Sequence, residues 1–539
     1  MLSFFRCAVL VSVLCGMAAA AQSYDVSVEE KTSHKNWGTA WGKIHVAKNN
    51  LITLAVVPNL GGRVMQYDLG DHAAIYVDDD VVGSMPADGN VLVGGFRQLP
   101  SPQFDFGWPS PPEVDLNPYT YSIVSQSADS VVLLLVSQVV DNTTYKYSTH
   151  QGLQFKRLLT LYKASTRVKV AMTMINTGTE EMEHGIWDIT QCVCSHGTQV
   201  DTQNFWVYFK MNPQSAMNGG YVVYSSESGG DDSTQWKPNV APGGIMGAQF
   251  QQKKGKIGAD CNAGWICHVD RKDGYAYIKT FTYEEGKTYP DEGASIQVYT
   301  YSDPSTPTVE VEVQGPLTTL QQNDSVSLVE NWYMARSFGP VLDVNKAGLV
   351  TSRLTAQKTD DSVSVTGTYG VFAPGKVYVR FSSATSTPVT VDSFTVTPID
   401  SLRIAKKYGI PAGTTLLTLA AVSSTGAVIG ALDTVTVSGG VDALPGRLSN
   451  RVLTGAAGLN ISRCSAGVKL VNNTTGPAEV TVHTLSGRAL MTVPCVPRST
   501  TLLPAAGISN GIMIAKVKTG GKTVSLIVPA VNGKNGGKR

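Results

Sequence analysis

Charge is scarce in this chain: 16% of its 539 residues are charged, and the formal net charge is +1. Such a surface carries no field of one sign, which excludes nucleic acid and anionic membrane as electrostatic partners. Long apolar stretches are missing too. The run from Cys7 to Met17 is too short for a comfortable bilayer span, and no heptad or low-complexity tract occurs, so the mature chain is expected to have no membrane span. Long helical periodicity is rare. In its place stand 53 glycines, 26 prolines and abundant Val, Thr and Ser, the composition of an all-β protein with many turns.

Cysteine is sparse as well, with eight in the whole chain. Two of them, Cys7 and Cys15, lie in MLSFFRCAVLVSVLCGMAAAAQ, where one arginine, an apolar run and small alanines read as a secretory signal peptide over residues 1–21. Export leaves Cys192, Cys194, Cys261, Cys267, Cys464 and Cys495 where disulfides can persist. Cys464 and Cys495 could close one C-terminal loop. Cys192 and Cys194 share one strand face, which favours pairing to Cys261 and Cys267 over a bond between neighbours. Zinc is the alternative for these four, with His196 and His268 close by, but C-x-C with C-x5-C is not the usual ligand spacing. Neither a metal nor a cofactor is expected.

The first large domain is placed by LITLAVVPNLGGRVMQYDL, residues 51–69, which reads as two strands about the turn Pro58 to Gly62, with Arg63 opening the second. An irregular segment follows at VGGFRQLPSPQFDFGWPSPPEVD, carrying Arg97 and the aromatics Phe96, Phe104, Phe106 and Trp108. Rings beside polar side chains suit a sugar, whose C–H face stacks while its hydroxyls take directed hydrogen bonds. The other reading pins those rings to the core. A strand meander over residues 119–176 leads to MEHGIWDITQCVC, which groups His184, Trp187 and Asp188. In TVEVEVQ, alternation puts Glu310 and Glu312 on one face, opposite Val311 and Val313.

The architecture expected is a large antiparallel β-supersandwich over residues 24–338 followed by two small β-sandwiches. The first of these, residues 339–442, is Thr/Val-rich, immunoglobulin-like and without tryptophan or histidine; the second covers residues 445–539.

Several blocks, among them PNLGGRVMQYDLG, GGFRQLPSPQFDFGWP, TYPDEGASIQVYT and VEVEVQGPLTTLQQNDSVSLVENWY, resemble the galactose-mutarotase-like β-supersandwich superfamily, and within it the uncharacterised bacterial DUF4380 group. The resemblance implies a sugar-acting or sugar-binding protein. Epimerase-like chemistry needs a general acid and a general base across one sugar ring. Glu312 is the implied base, with Glu310 as the register-shifted alternative, and Asp188 or His184 the implied acid. Arg63 and Arg97 would hold hydroxyls or a carboxylate, and Phe106, Trp108 and Trp187 would be stacking platforms. The C-terminal blocks VTVHTLSGRALMTV and GIMIAKVKTGGKTVSLIV resemble the type A sorting domain of the type IX secretion system. That implies a secretion-machinery partner and delivery to the surface or medium of a Gram-negative bacterium. The expected function is a secreted carbohydrate-interacting protein, as an epimerase-like or polysaccharide-lyase-like enzyme; the alternative is a non-catalytic carbohydrate-binding or structural surface protein.

Overall fold

The computed structural model describes residues 23–439, apart from the short segments 88–90, 142–143, 225–233 and 384–386, and the strands between 453 and 528. The expected leader, residues 1–21, and the side chains of Cys464 and Cys495 lie outside the described residues. Strands dominate, and the helical pieces are short, such as the single turn Pro112–Asp115. Among the described residues no helix is long and apolar enough to cross a membrane. Residues up to Gly439 form one compact unit and Gly440–Arg539 a second.

In the first unit a 12-stranded sheet and a 10-stranded sheet enclose one continuous apolar core. Alternation explains how the 10-stranded sheet does this. In Leu153–Tyr162 and Val168–Asn176 every second residue is buried, and those inward residues are Leu, Phe, Val and Met, with Arg157 and Asn176 as the exceptions. The 12-stranded sheet behaves differently. Arg63–Leu69, Phe96–Ser101 and Thr308–Gln314 are buried at every position. One face packs on the core, so the polar residues of the other face must find partners away from bulk water.

The central run of this sheet is Arg63–Leu69, Phe96–Ser101, Met182–Val193, Thr308–Gln314, Ile296–Thr300 and Gly255–Ala259. The strands Met182–Val193 and Thr308–Gln314 are antiparallel, with Trp187 opposite Gln314, Ile189 opposite Glu312 and Gln191 opposite Glu310. Asp188 and Thr190 pair with Val313 and Val311 on the core face. Gly61 and Gly62 both take positive φ, 55° and 61°. A Cβ on Gly61 would stand 1.9 Å from the Asp115 carbonyl oxygen, so the turn before Arg63 needs glycine for close approach to the Pro112–Asp115 turn.

A five-stranded and a four-stranded sheet between residues 343 and 439 close on their own apolar core, led by Val363, Val365, Val377, Val379, Leu417 and Leu419. The second unit contains two four-stranded antiparallel sheets, formed by strands from Leu453–Gly455 to Lys522–Val528.

Candidate functional site

A cavity of about 680 Å³ opens on the face of the 12-stranded sheet that turns away from the core. Its floor is built by strand parity. Arg97 comes from Phe96–Ser101, Trp187, Ile189 and Gln191 from Met182–Val193, and Glu310 from Thr308–Gln314. Gln297 and Tyr299 come from Ile296–Thr300, and Lys256 from Gly255–Ala259. The mouth carries Phe104, 81% exposed, and Trp108, 37% exposed. Asp291 closes one side. It adopts φ 49°, unusual for a residue with a Cβ, and its Oδ2 accepts from the amides of Gln297 and Gln314 at 2.8 and 2.9 Å.

Two buried guanidinium groups share one carboxylate at the edge of this floor. Arg63 Nη2 donates to Asp115 Oδ1 at 2.9 Å, and Arg97 Nη1 donates to Asp115 Oδ2 at 3.2 Å. Ser110 Oγ adds a donor at 2.9 Å. Burial pushes the Asp115 carboxyl up, but Arg97 and Arg63 together outweigh it and hold the group below its ordinary range. Burial also draws Arg63 down to about 10. Arg97 reaches further into the cavity: its guanidinium lies 4.8 Å from the centre of the Trp108 ring and 3.8 Å from Glu310 Oε1. Glu310 also accepts from Gln191 and from the Tyr301 hydroxyl, each at 2.9 Å.

Glu312 lies one layer below. It is fully buried, accepts from Trp187 Nε1 at 2.7 Å, and has Lys256 Nζ 3.1 Å from the same Oε2. Its Oε1 has no hydrogen-bond partner. Burial raises the carboxyl, Lys256 opposes that, and Glu310 adds to it, with the outcome a group pushed up to about 7. Lys256, which lines the cavity and lies 4.8 Å from the Trp187 ring centre, connects Glu312 to the open space.

The cavity thus brings together Arg63, Arg97, Trp108 and Trp187 of the residues singled out in the sequence, with Glu312 beneath them and its alternative, Glu310, in the wall. Three do not join them. Asp188 is on the core face of its strand, ion-paired to Lys279 Nζ at 2.5 Å and accepting from the Val313 amide at 2.6 Å. Adjacent residues of one strand point to opposite faces, so Asp188 and Trp187 cannot serve one cavity. His184 is buried, contacts the Thr149 carbonyl at 2.9 Å and stacks on His150 at 4.3 Å. Phe106 is a core ring packed edge-on to His150, and the exposed platform is its neighbour Phe104.

The sequence reading missed Asp115, Lys256, Gln297, Tyr299 and Tyr301. In SIQVYTYSD the alternation of Gln297, Tyr299 and Tyr301 with Ile296, Val298 and Thr300 was the available signal. The expected bridges among the four described cysteines are corrected. Cys192, Cys194, Cys261 and Cys267 are buried free thiols. Cys261 Sγ is turned to the Lys210 and Trp265 carbonyls, and Cys267 Sγ to that of His268.

No family model and no curated relative matches the chain. The resemblances to the DUF4380 group and to the sorting domain therefore rest on their sequence blocks. Solved structures similar to it include a galactose mutarotase-like protein from Clostridium acetobutylicum, with 14% identity, TM-score 0.37, and coverage of 58% of this chain and 99% of that one. Another galactose mutarotase-like protein, from Lactobacillus casei, shows 10% identity and TM-score 0.33 over 54% and 99% of the two chains. A protein from Synechocystis shows 13% identity and TM-score 0.36 over 53% and 93%. Likeness at this level transfers no activity.

Proposed function

We propose that the cavity binds a carbohydrate. The observation that carries this reading is the pairing of two exposed rings at the mouth, Phe104 and Trp108, with charged and amide groups on the floor, Arg97, Lys256, Gln297 and Glu310. Rings take the C–H face of a pyranose, and fixed donors and acceptors take its hydroxyls. Binding to a glycan array, followed by calorimetry on the hits, tests the reading. Saturable binding that Trp108→Ala weakens supports it, and an array without hits overturns it.

A catalytic role for the same cavity is the second reading, favoured by the Lys256–Glu312 contact. A carboxyl pushed up to about 7 is half-protonated near neutrality, and Lys256 links it to the cavity. Glu310, in the wall, is the carboxylate that would meet the ligand. Under this reading Glu312→Gln and Glu310→Gln each abolish turnover of a bound sugar while affinity stays nearly intact. A bound sugar that emerges unchanged from wild type leaves a binding module.

Export belongs to the proposal as well. It is supported by the leader-like residues 1–21 and by the C-terminal blocks that resemble a sorting domain, in which the second unit serves as an address for secretion machinery.

A further inference from the structure

Away from the cavity, four side chains distant in sequence meet. His72 follows the hairpin turn after Leu69, His196 lies in the short strand Ser195–His196, Asp270 ends the strand Trp265–Asp270, and Asp273 lies in the turn that leads to Tyr275–Phe281. His196 Nε2 is 3.0 Å from Asp270 Oδ2 and 3.7 Å from Asp273 Oδ2, and His72 Nε2 is 3.9 Å from Asp270 Oδ2. One ligand atom each from His72, Asp270 and Asp273 lies within 4.8 Å of the others. Ligand atoms about 2.0–2.2 Å from a tetrahedral zinc ion stand roughly 3.3–3.6 Å apart, so the His72, Asp270 and Asp273 atoms must draw closer to share an ion, with His196 joining through its approach to Asp270 and Asp273.

Three features prepare the group for a cation. Asp270 is buried, and its Oδ1 is already engaged by the amides of Lys272 and Asp273 at 2.9 and 3.1 Å, which turns Oδ2 to the imidazoles. Both rings are held by stacking, His72 on Tyr275 at 4.1 Å and His196 on Phe205 at 4.9 Å. Behind His196, the Asp201 carboxylate stands with Oδ2 3.3 Å from Nδ1, beside the ring but not hydrogen-bonded to it, so Nδ1 is left without a partner. Among the described residues no lysine or arginine forms an ion pair with Asp201, Asp270 or Asp273. Imidazole with carboxylate is a donor set for a borderline-soft divalent ion rather than for calcium.

We propose that His72, His196, Asp270 and Asp273 bind one zinc-class divalent ion, which fastens three separate segments of the first unit. The site shares no residue with the cavity. The full chain, stripped with chelator and dialysed, is titrated with Zn²⁺ by calorimetry, and with Co²⁺ by its visible absorption, which is intense in tetrahedral sites. One equivalent per chain is expected, with a rise in Tm as zinc is added. The doubly substituted His72→Ala, His196→Ala chain loses that equivalent. Asp273→Asn, at a half-exposed position, keeps the fold and weakens zinc binding. Wild type without stoichiometric zinc overturns the proposal, since the cluster is then held by its own hydrogen bonds and ring stacking alone. Zinc retained by the double variant also overturns it, because the ion then sits elsewhere, as on the buried thiols.

Discussion

Trp187 donates its indole N–H to Glu312 Oε2 at 2.7 Å, so the ring that walls the cavity rests on a carboxylate with no exposure to water. The other contact to Oε2 is Lys256, and Oε1 has none. Trp187, Lys256 and Glu312 therefore respond as a unit to the loss or gain of one proton.

The contribution of Glu312 to stability should fall as pH rises across its titration. The Glu312 carboxyl is pushed up from an ordinary 4.5 to about 7, so between those values the folded chain holds a proton that the unfolded chain has released. This contribution is fully present below about 4.5, declines by at most about 1.4 kcal/mol per pH unit, and levels off above about 7. Denaturation curves for wild type and Glu312→Gln across this range check it. The wild-type stability relative to Glu312→Gln should decline from pH 5 to pH 7, and a difference that stays flat would show Glu312 to be ionised throughout.

Asp115→Ala leaves two buried guanidinium groups facing each other without their shared carboxylate. A loss of about 3–5 kcal/mol is expected, as for a buried pair broken by removing one partner. Urea titration measures it. A change within about 0.5 kcal/mol would mean that water reaches Arg63 and Arg97, against their burial.

Phe104→Ala and Trp108→Ala separate binding from folding. Both rings are exposed, so each variant should stay within about 1 kcal/mol of wild-type stability, Trp108→Ala losing the more because its contact with Arg97 goes too. Affinity for whichever glycan binds should drop by about tenfold or more in each. Glycan affinity untouched in both would move the ligand away from this mouth.

Much of this was legible in the chain before any coordinates. The alternation in TVEVEVQ put Glu310 and Glu312 opposite Val311 and Val313, and that is how the strand sits, with the valines in the core. Arg63, Arg97, Trp108 and Trp187, singled out from separate blocks, all line one cavity. Grouping Trp187 with Asp188 failed because closeness in sequence was set above parity; one residue along a strand reverses the face. Asp115 was hidden in a proline-rich segment whose path no periodicity reveals. Lys256 comes from a strand that reaches the cavity only through pairing with Ile296–Thr300, a non-local relation. The histidine–aspartate cluster draws on positions 72, 196, 270 and 273, and no spacing announces it.

Thiol chemistry checks the cysteines. Cys192, Cys194, Cys261 and Cys267 are all buried, so a thiol reagent should label none of them in the native chain and all four after denaturation without reductant. Reductant should leave the Tm of the first unit unchanged. A reductant-dependent fall in Tm would restore the bridges that the sequence suggested.

The strand Met182–Val193 carries two unrelated circuits on its two sides. Trp187, Ile189 and Gln191 look into the cavity, while Asp188, Thr190 and Cys192 look into the sandwich, where Asp188 meets Lys279. A library confined to the first set explores what the protein accepts and leaves the charges that close the sandwich untouched. One confined to the second explores how firmly the sheets hold together. Recognition and cohesion can thus drift independently along a single stretch of backbone.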